Sequence, residues 1–244
     1  HRSTVMCLDW HANNKFLVTG CTDRKCRVFS AFDADVDSTD DADVFADIWP
    51  NQFEFGECLA EFSCSGWVES VAWAPCGFRL AFSGHDSSIN FVQILGGGAA
   101  PETQTIRTQN LPFRQIAYLS DNTVVAVGND PSPYVYVAEG DDAEPTWTLL
   151  QTLEKESKEE KKTTSNFNSV RTRWQGAVSR GENLQSGETT SLKSRHQNTV
   201  TCLVKMADQG AEVCKKFSTS GLDGQVLLWD LAAMNMNLGA MKLT

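Results

Sequence analysis

Short apolar stretches separated by turn residues recur along most of the chain. The segment from Thr4 to Phe29 can be placed over the segment from Trp67 to Val92 with every landmark displaced by 63 positions. A third copy runs from Phe113 to Val137, and a fourth runs from Asn198 to Asp230 with a longer first turn. No stretch within these copies exceeds about ten residues without a turn cluster, which argues against helices. The pattern therefore predicts four copies of one unit, each with three short β-strands.

The residues at the turns support this prediction. The first turns contain Asn13-Asn14, Pro75-Cys76-Gly77 and Asp121-Asn122, and a later turn contains Asp223-Gly224. These residue types tolerate the positive or restricted dihedral angles that hairpins require. In the last stretch, Val226–Asp230, side chains alternate with the period of two that is typical of a strand with two different faces. We therefore predict an all-β protein.

A repeat of about 40 to 45 residues ending in Trp-Asp is typical of a blade of a WD40-type β-propeller, in which four-stranded antiparallel sheets surround a central channel. The fourth copy ends in Trp229-Asp230. The chain starts inside a repeat, so we expect further blades before His1, because an open ring would expose sheet faces at both ends. The predicted organisation is propeller blades over 1–138 with an acidic insertion at 33–57, an inserted arm over 139–195 with an amphipathic helix at 165–180, the last blade over 196–231 and a tail over 232–244.

The fourth copy also contains the residues of a buried hydrogen-bond network. In WD-type blades, residues spaced in this way connect an indole, a hydroxyl, an imidazole and a carboxylate. Each group needs its partner, because a buried polar group left unpaired costs about 1–3 kcal/mol. The first copy repeats three of the four positions and has Phe29 in place of the tryptophan. The predicted network residues are His196, Thr219, Asp223 and Trp229 in the fourth copy and His1, Thr19 and Asp23 in the first.

A threonine, a histidine and a carboxylate also fit the nucleophile, base and orienting group of a catalytic site. The spacing occurs in two copies, however, and the side chains are predicted to lie between strands rather than in a cleft. We therefore predict no catalytic residues and no cofactor, since no segment resembles a loop that cradles phosphate. The eight cysteines form no Cys-x-x-Cys pair. We predict no metal site, because structural zinc needs closely spaced thiolates.

Charge and composition narrow the possible partners. The chain has 21 Lys and Arg against 31 Asp and Glu, a formal net charge of −10. Such a chain is short of the cations that neutralise phosphates, so nucleic acid is not an expected partner. No run approaches the roughly 18 apolar residues of a membrane span, and no signal segment opens the sequence. We therefore expect a cytoplasmic protein with reduced thiols and no membrane partner.

Two insertions interrupt the blades. The first is rich in aspartate between Asp33 and Asp47 but lacks the central Gly and terminal Glu of an EF-type calcium loop, so it is interpreted as a solvated acidic loop. In the second, Phe167, Val170 and Trp174 recur at helical spacing in a stretch that also carries several arginines. This helix can pack on its own propeller or lie in a groove on a partner. Binding to a membrane surface is disfavoured, because the helix is short and its cations are few.

Several motifs resemble the WD-repeat subunit, subunit 1, of the actin-related protein 2/3 complex. They follow the order of the blades and continue into the arm, where RTRWQ at 171–175 resembles the arm helix of that family. The other motifs are LDWHANN at 8–14, KCRVFSAF at 25–32, FGE at 55–57, GWVESVAWAPCG at 66–77, HDSSI at 85–89, SDNTVVAVGND at 120–130 and FSTSGLDGQVLLWDL at 217–231.

This resemblance implies a seven-bladed propeller, of which the chain contains the four carboxyl-terminal blades. It implies a non-catalytic scaffold that supports nucleation of branched actin filaments in the cytoplasm, at the actin cytoskeleton and the cell cortex. The implied partners are the other subunits of the complex, including the second actin-related protein, nucleation-promoting factors and the actin filament. The arm residues that the resemblance places on the mother filament are Phe167, Val170, Arg171, Arg173 and Trp174. The competing hypothesis is a WD-repeat adaptor of another assembly, such as a ubiquitin-ligase substrate receptor or a coat component.

Overall fold

The computed structural model describes residues 1–33, 35–37, 54–95, 100–140, 145–153, 194–206 and 213–234. Within these residues the chain forms fifteen β-strands and no helix, so the all-β prediction is confirmed there. The strands form three four-stranded sheets and one three-stranded sheet, and each sheet is antiparallel. None of the described segments is a helix that could cross a membrane.

Each sheet is one blade, and its strands lie side by side in chain order. The first blade contains β1 (Val5–Trp10), β2 (Phe16–Cys21), β3 (Lys25–Ser30) and β4 (Cys58–Ser63). The second contains β5 (Val68–Trp73), β6 (Arg79–Gly84), β7 (Ser88–Gln93) and β8 (Glu102–Arg107). The third contains β9 (Phe113–Ser120), β10 (Thr123–Gly128), β11 (Tyr134–Glu139) and β12 (Thr146–Thr152). The described strands of the fourth are β13 (Val200–Lys205), β14 (Lys216–Gly221) and β15 (Val226–Asp230).

The displacement of 63 residues predicted from the sequence is confirmed. Strands β5, β6 and β7 begin 63 residues after β1, β2 and β3. The first turns share their conformation too, since Asn14 and Gly77 both have a positive φ, of 60° and 76°. At the second turn, Arg24, Ser87 and Gly224 have φ values of 68°, 60° and 75°. The same backbone conformation is therefore reached with different residues.

The outer strand described in each of the first three blades was absent from the unit predicted from the sequence. β4, β8 and β12 begin at residues 58, 102 and 146, which are 44 residues apart. Because β12 belongs to the third blade, the predicted start of the arm at residue 139 is wrong: residues 146–152 are part of the propeller. The error arose because an outer strand has one sheet neighbour and is partly exposed, so its pattern of apolar residues is weak. The predicted helix at 165–180 lies outside the described residues.

The blades stack face to face in chain order. Innermost strand β1 lies against β5, β5 lies against β9, and β9 lies against β13. Three apolar clusters fill the spaces between successive blades, and Val28, Val92 and Leu80 lie in the first of them. The second contains Phe91 and Ile116, and the third joins the last two blades. This is the arrangement of a β-propeller, in which each sheet buries its faces against neighbouring blades.

Polar side chains connect the inner strands across each of these packed interfaces. In all three, a side chain of one blade accepts a hydrogen bond from a backbone N–H of the next blade. The bonds run from Trp73 to Asp9 Oδ2 (2.8 Å), from Ile116 to Ser70 Oγ (3.1 Å) and from Leu203 to Gln115 Oε1 (2.7 Å). The amide of Gln115 also donates to the Leu203 carbonyl at 2.9 Å. These bonds satisfy backbone groups at the inner edge of the sheets and fix the register between blades.

Candidate functional site

The fourth blade brings its four predicted network residues into one chain of hydrogen bonds, called here the His196 network. Trp229 Nε1 donates to Thr219 Oγ1 at 2.8 Å. Thr219 Oγ1 lies 2.7 Å from His196 Nε2, and His196 Nδ1 lies 3.0 Å from Asp223 Oδ2. Every contact is satisfied when the threonine hydroxyl donates to Nε2 and the imidazole donates from Nδ1 to the carboxylate. The network joins β14, β15, the segment before β13 and the turn after β14.

The carboxylate of Asp223 ends this chain and also holds the backbone. It accepts hydrogen bonds from the backbone N–H groups of Gln197 (2.7 Å) and Gln225 (3.0 Å). Burial by itself would raise the pKa of the Asp223 carboxyl, but these hydrogen bonds and the one from His196 outweigh it, so that its pKa lies below the ordinary value. The carboxyl is therefore charged at neutral pH and holds the residue after His196 and the turn before β15.

The His196 network fits because residue 221 is a glycine. One aromatic and one cationic side chain pack on its indole. A Cβ atom at Gly221 would lie 3.1 Å from His196 Nδ1 and 2.9 Å from the Thr199 carbonyl oxygen. The ring of Trp229 stacks on Phe217, and the guanidinium of Arg195 lies 4.6 Å from the indole centroid. The side chains of His196 and Trp229 are fully buried. The arrangement therefore holds the strands of the blade together.

The first blade brings its predicted residues together in a different way. His1 Nε2 lies 2.5 Å from Thr19 Oγ1, as in the fourth blade, but His1 Nδ1 lies 3.7 Å from Asp23 Oδ2. The guanidinium of Arg27 fills this gap, with its Nη1 at 2.8 Å from Asp23 Oδ2 and 2.7 Å from His1 Nδ1. Arg27 Nε also donates to Glu61 at 2.8 Å. We call His1, Thr19, Asp23 and Arg27 the His1 network.

Cys21 occupies the place in the first blade that Gly221 has in the fourth. Its sulfur, with a nitrogen of His1 and an oxygen of Asp23, forms a group of possible metal ligands within 4.8 Å of one another. The guanidinium of Arg27 already pairs with two of the three, and its positive charge disfavours a metal ion there. Burial would raise the pKa of the Asp23 carboxyl, but hydrogen bonds from the Arg2 backbone and from Arg27 hold it well below the ordinary value. The Asp23 carboxylate therefore forms an ion pair with Arg27 at this place.

The second blade contains a third polar network, which the spacing of residues in the sequence did not indicate. Its position equivalent to His1 is Cys64, whose sulfur lies 3.6 Å from Asp86 Oδ1. Ser88 Oγ donates to the same carboxylate oxygen at 2.6 Å, and Asn90 Nδ2 donates to Ser88 Oγ at 3.2 Å. Neither Cys64 nor Asn90 fits the His-Thr-Asp-Trp spacing, so only the alignment to the first copy could have pointed to them. The same place in three blades therefore holds three different networks.

The described residues include none of the five predicted arm residues, because Phe167, Val170, Arg171, Arg173 and Trp174 lie outside them. Of the acidic insertion, the described residues before position 38 show a local turn in which the Asp33 backbone N–H donates to Asp37 Oδ2 at 2.9 Å. Asp33 and Asp35 are exposed. This part of the insertion is solvated, as the sequence predicted.

Comparison with known proteins finds a matching family model and several similar proteins. The family model for the WD domain, G-beta repeat, matches residues 1–30 and 56–92. Over 98% of its length the chain is 34% identical to actin-related protein 2/3 complex subunit 1B and 35% identical to subunit 1A, both of Arabidopsis thaliana. Over 94% of its length it is 31% identical to actin-related protein 2/3 complex subunit 1 of Schizosaccharomyces pombe. The chain spans 61–62% of these three relatives.

The stacked antiparallel sheets and the matching family model define the class: residues 1–30 and 56–92 match a WD repeat, and the described sheets are arranged as propeller blades. Within that class it is similar to subunit 1 of the actin-related protein 2/3 complex over nearly its whole length. The resemblance indicated by the sequence motifs is confirmed.

Proposed function

We propose that this chain is part of a non-catalytic scaffold subunit of an actin-related protein 2/3 complex and supports the nucleation of branched actin filaments. The single observation that carries the proposal is the 34% identity to a named subunit 1 over 98% of the chain. The proposed partners are the other subunits, including the second actin-related protein, nucleation-promoting factors and the actin filament. The proposed location is the cytoplasm, at the actin cytoskeleton and the cell cortex, and the whole propeller is proposed to have seven blades.

The geometry of the described blades supports a scaffold role. The most conspicuous polar residues, those of the His196 network, are buried and pair with one another, so they hold strands together and are not available for chemistry. Polar bonds between inner strands and apolar clusters between blades make a rigid body on which partners can be positioned. Rigid repeat architectures of this kind commonly present extended surfaces for protein partners.

The proposal is tested by affinity purification of the chain from cells that contain the complex. We expect recovery of two actin-like subunits and cosedimentation of the purified assembly with actin filaments. Recovery of a cullin-type ligase or of vesicle-coat components, with no binding to filaments, would instead support the adaptor hypothesis and contradict the proposal.

We further propose that the arm contacts the mother filament through Phe167, Val170, Arg171, Arg173 and Trp174. A tryptophan flanked by arginines fits the composition of binding hot spots. Trp174→Ala in the assembled complex should lower the branching rate about tenfold or more, the loss typical of a hot-spot truncation. The matched control is Trp67→Ala, since Trp67 is a half-exposed tryptophan on a blade. An unchanged branching rate, or a fall in thermal stability with Trp174→Ala alone, would assign the arm helix to packing.

A further inference from the structure

A glutamine side chain of the second blade binds the backbone of the third blade. Gln104, on outer strand β8, accepts a hydrogen bond from the Trp147 backbone N–H with its Oε1 atom at 2.7 Å. Its Nε2 atom donates to the Trp147 carbonyl oxygen at 2.8 Å. A primary amide that accepts and donates in this way presents the same two groups as a neighbouring β-strand does. Gln104 therefore takes the place of a strand beside residue 147.

The two backbone groups belong to the free edge of β12, the outermost strand of the third blade. Trp147 lies opposite Ala138 of β11, but its N–H and C=O both bind Gln104, so they point away from β11. In an antiparallel pair, such outward-facing groups recur at every second residue. Leu149, which lies opposite Tyr136, has the same orientation. Gln104 thus closes one of the positions at which a further strand would join β12.

Outer strand β12 differs in charge from the two other outer strands that the structure describes. Its sequence, TWTLLQT, contains no charged residue, no proline and no glycine. In contrast, β4 contains Glu61, and β8 contains Glu102 and Arg107. Charged side chains on an edge strand hinder its pairing with another chain, whereas uncharged segments of high β-propensity favour such pairing. Of these three strands, β12 therefore has the greatest need of another form of protection.

The edge of β12 faces a cleft through which another polypeptide can reach it. Gln104 and Trp147 line this cleft between the second and third blades, together with Thr103 and Thr146. The indole of Trp147 is buried and stacks on Phe91, with ring centroids 4.1 Å apart, so the residue is held in place by its side chain. Without the amide of Gln104, the N–H and C=O of residue 147 would face the cleft without a protein partner.

We propose that Gln104 caps the edge of β12 and prevents this strand from pairing with β12 of a second copy of the chain. A second copy offers the same uncharged strand, and two identical edges can pair antiparallel about a two-fold axis. The cap acts through its two hydrogen bonds to Trp147, which a competing strand must replace. An amide on a neighbouring blade thus protects β12, whereas β4 and β8 contain charged residues.

The substitution Gln104→Ala tests the cap, because it removes both hydrogen bonds. The backbone N–H of residue 147 should then exchange with solvent deuterium at least about tenfold faster than in the wild-type chain, as measured by NMR. Light scattering of the folded variant should show association at least about tenfold faster than that of the wild-type chain. Gln109→Ala is the matched control, since Gln109 is an exposed glutamine beyond the end of β8, and it should match the wild-type chain in both measurements.

A second substitution shows whether the association uses this edge. Leu149 is 44% exposed on β12, so adding Leu149→Lys to Gln104→Ala places a charge on the edge and should return association to the wild-type rate while exchange at residue 147 stays fast. Cooperative thermal unfolding checks the fold, and Gln104→Met replaces an unfolded alanine variant, because methionine keeps the side-chain length and lacks the amide. The proposal is overturned by unchanged exchange at residue 147, by fast exchange without faster association, or by association that Leu149→Lys does not suppress.

Discussion

The networks of the fourth and first blades use equivalent positions and differ in how they are completed. In the fourth, the indole of Trp229 donates to the threonine, and the imidazole reaches Asp223 directly at 3.0 Å. In the first, the tryptophan is replaced by Phe29, the imidazole lies 3.7 Å from its carboxylate, and Arg27 bridges the two. In the fourth blade an indole completes a chain of hydrogen bonds. In the first blade a guanidinium completes an ion-paired cluster.

This difference indicates that each blade holds a satisfied polar network at this position, whereas the residue types that form it differ. In each case every polar group finds a partner, which is the condition for burying it at all. The fourth blade satisfies that condition with neutral donors and one carboxylate, and the first blade satisfies it with an added positive charge. The two blades should therefore respond differently to loss of the threonine.

The largest expected effect is that of Thr219→Val. The hydroxyl of Thr219 is the centre of the His196 network, so its removal leaves the buried Trp229 N–H and His196 Nε2 without partners. We expect the free energy of unfolding to fall by about 3 kcal/mol, since each buried unpaired group costs about 1–3 kcal/mol. Urea denaturation monitored by tryptophan fluorescence measures the change.

Thr19→Val in the first blade is the matched comparison. It removes the same hydroxyl, but no indole donates to Thr19, and the His1 side chain is 11% exposed and also contacts Arg27. Water can replace the partner that His1 Nε2 loses there, so we expect a loss of only about 1 kcal/mol. Equal losses for the two valine variants would contradict the distinction between the networks.

Trp229→Phe should have the next largest effect, because it makes the fourth blade resemble the first at one position. The variant loses the 2.8 Å hydrogen bond to Thr219 and part of the stacking on Phe217. We expect a loss of about 2 kcal/mol from the combined loss of hydrogen bond and packing. Scanning calorimetry gives the change in melting temperature, and Trp147→Phe, a buried indole outside the network, serves as control. A larger loss at Trp147 would indicate that packing alone explains the indole.

Acid should destabilise the chain through Asp223 and Asp23. The pKa values of both carboxyls lie below the ordinary value of 3.8 in the folded chain. Their contribution to stability is therefore fully present above that value and is lost as the pH falls through it towards the lower pKa values of the folded state. Asp223→Asn should reduce the slope of unfolding free energy against pH between about pH 4 and pH 2. A slope identical to that of the wild-type chain would show that Asp223 does not contribute to acid lability.

The strands inside each blade could be predicted from the sequence, because their apolar alternation and turn residues are local properties. The start of β5 follows from that of β1 by a displacement read directly from the letters. The outer strands could not be found in this way: in β4, for example, Glu61 is exposed and contributes through its pairs with Lys25 and Arg27 on the neighbouring strand. Pairing across strands, rather than burial, defines these elements.

The networks of the candidate site could likewise be predicted only where they depend on local sequence spacing. Spacing brought out the His196 network, since its members recur at fixed positions of the repeat. Arg27 could not be assigned, because its role depends on the gap between His1 and Asp23, and that gap exists only in the folded blade. The acceptors between blades, such as Asp9 and Gln115, depend on which backbone N–H the next blade presents. Contacts between repeats are not encoded in the repeat pattern itself.

The smallest expected effect concerns the second turn, where Arg24 and Gly224 share a positive φ of 68° and 75°. An L-residue pays a steric cost in this region that glycine avoids, although glycine loses more conformational entropy on folding. Arg24→Gly keeps the backbone hydrogen bonds to the Cys21 carbonyl and from the Cys64 N–H. We expect a gain of about 0.5 kcal/mol, and a loss of about 1 kcal/mol for the reverse change, Gly224→Ala, both measured by urea denaturation. A loss with Arg24→Gly would mean that the arginine side chain stabilises the first blade by more than its backbone strain costs.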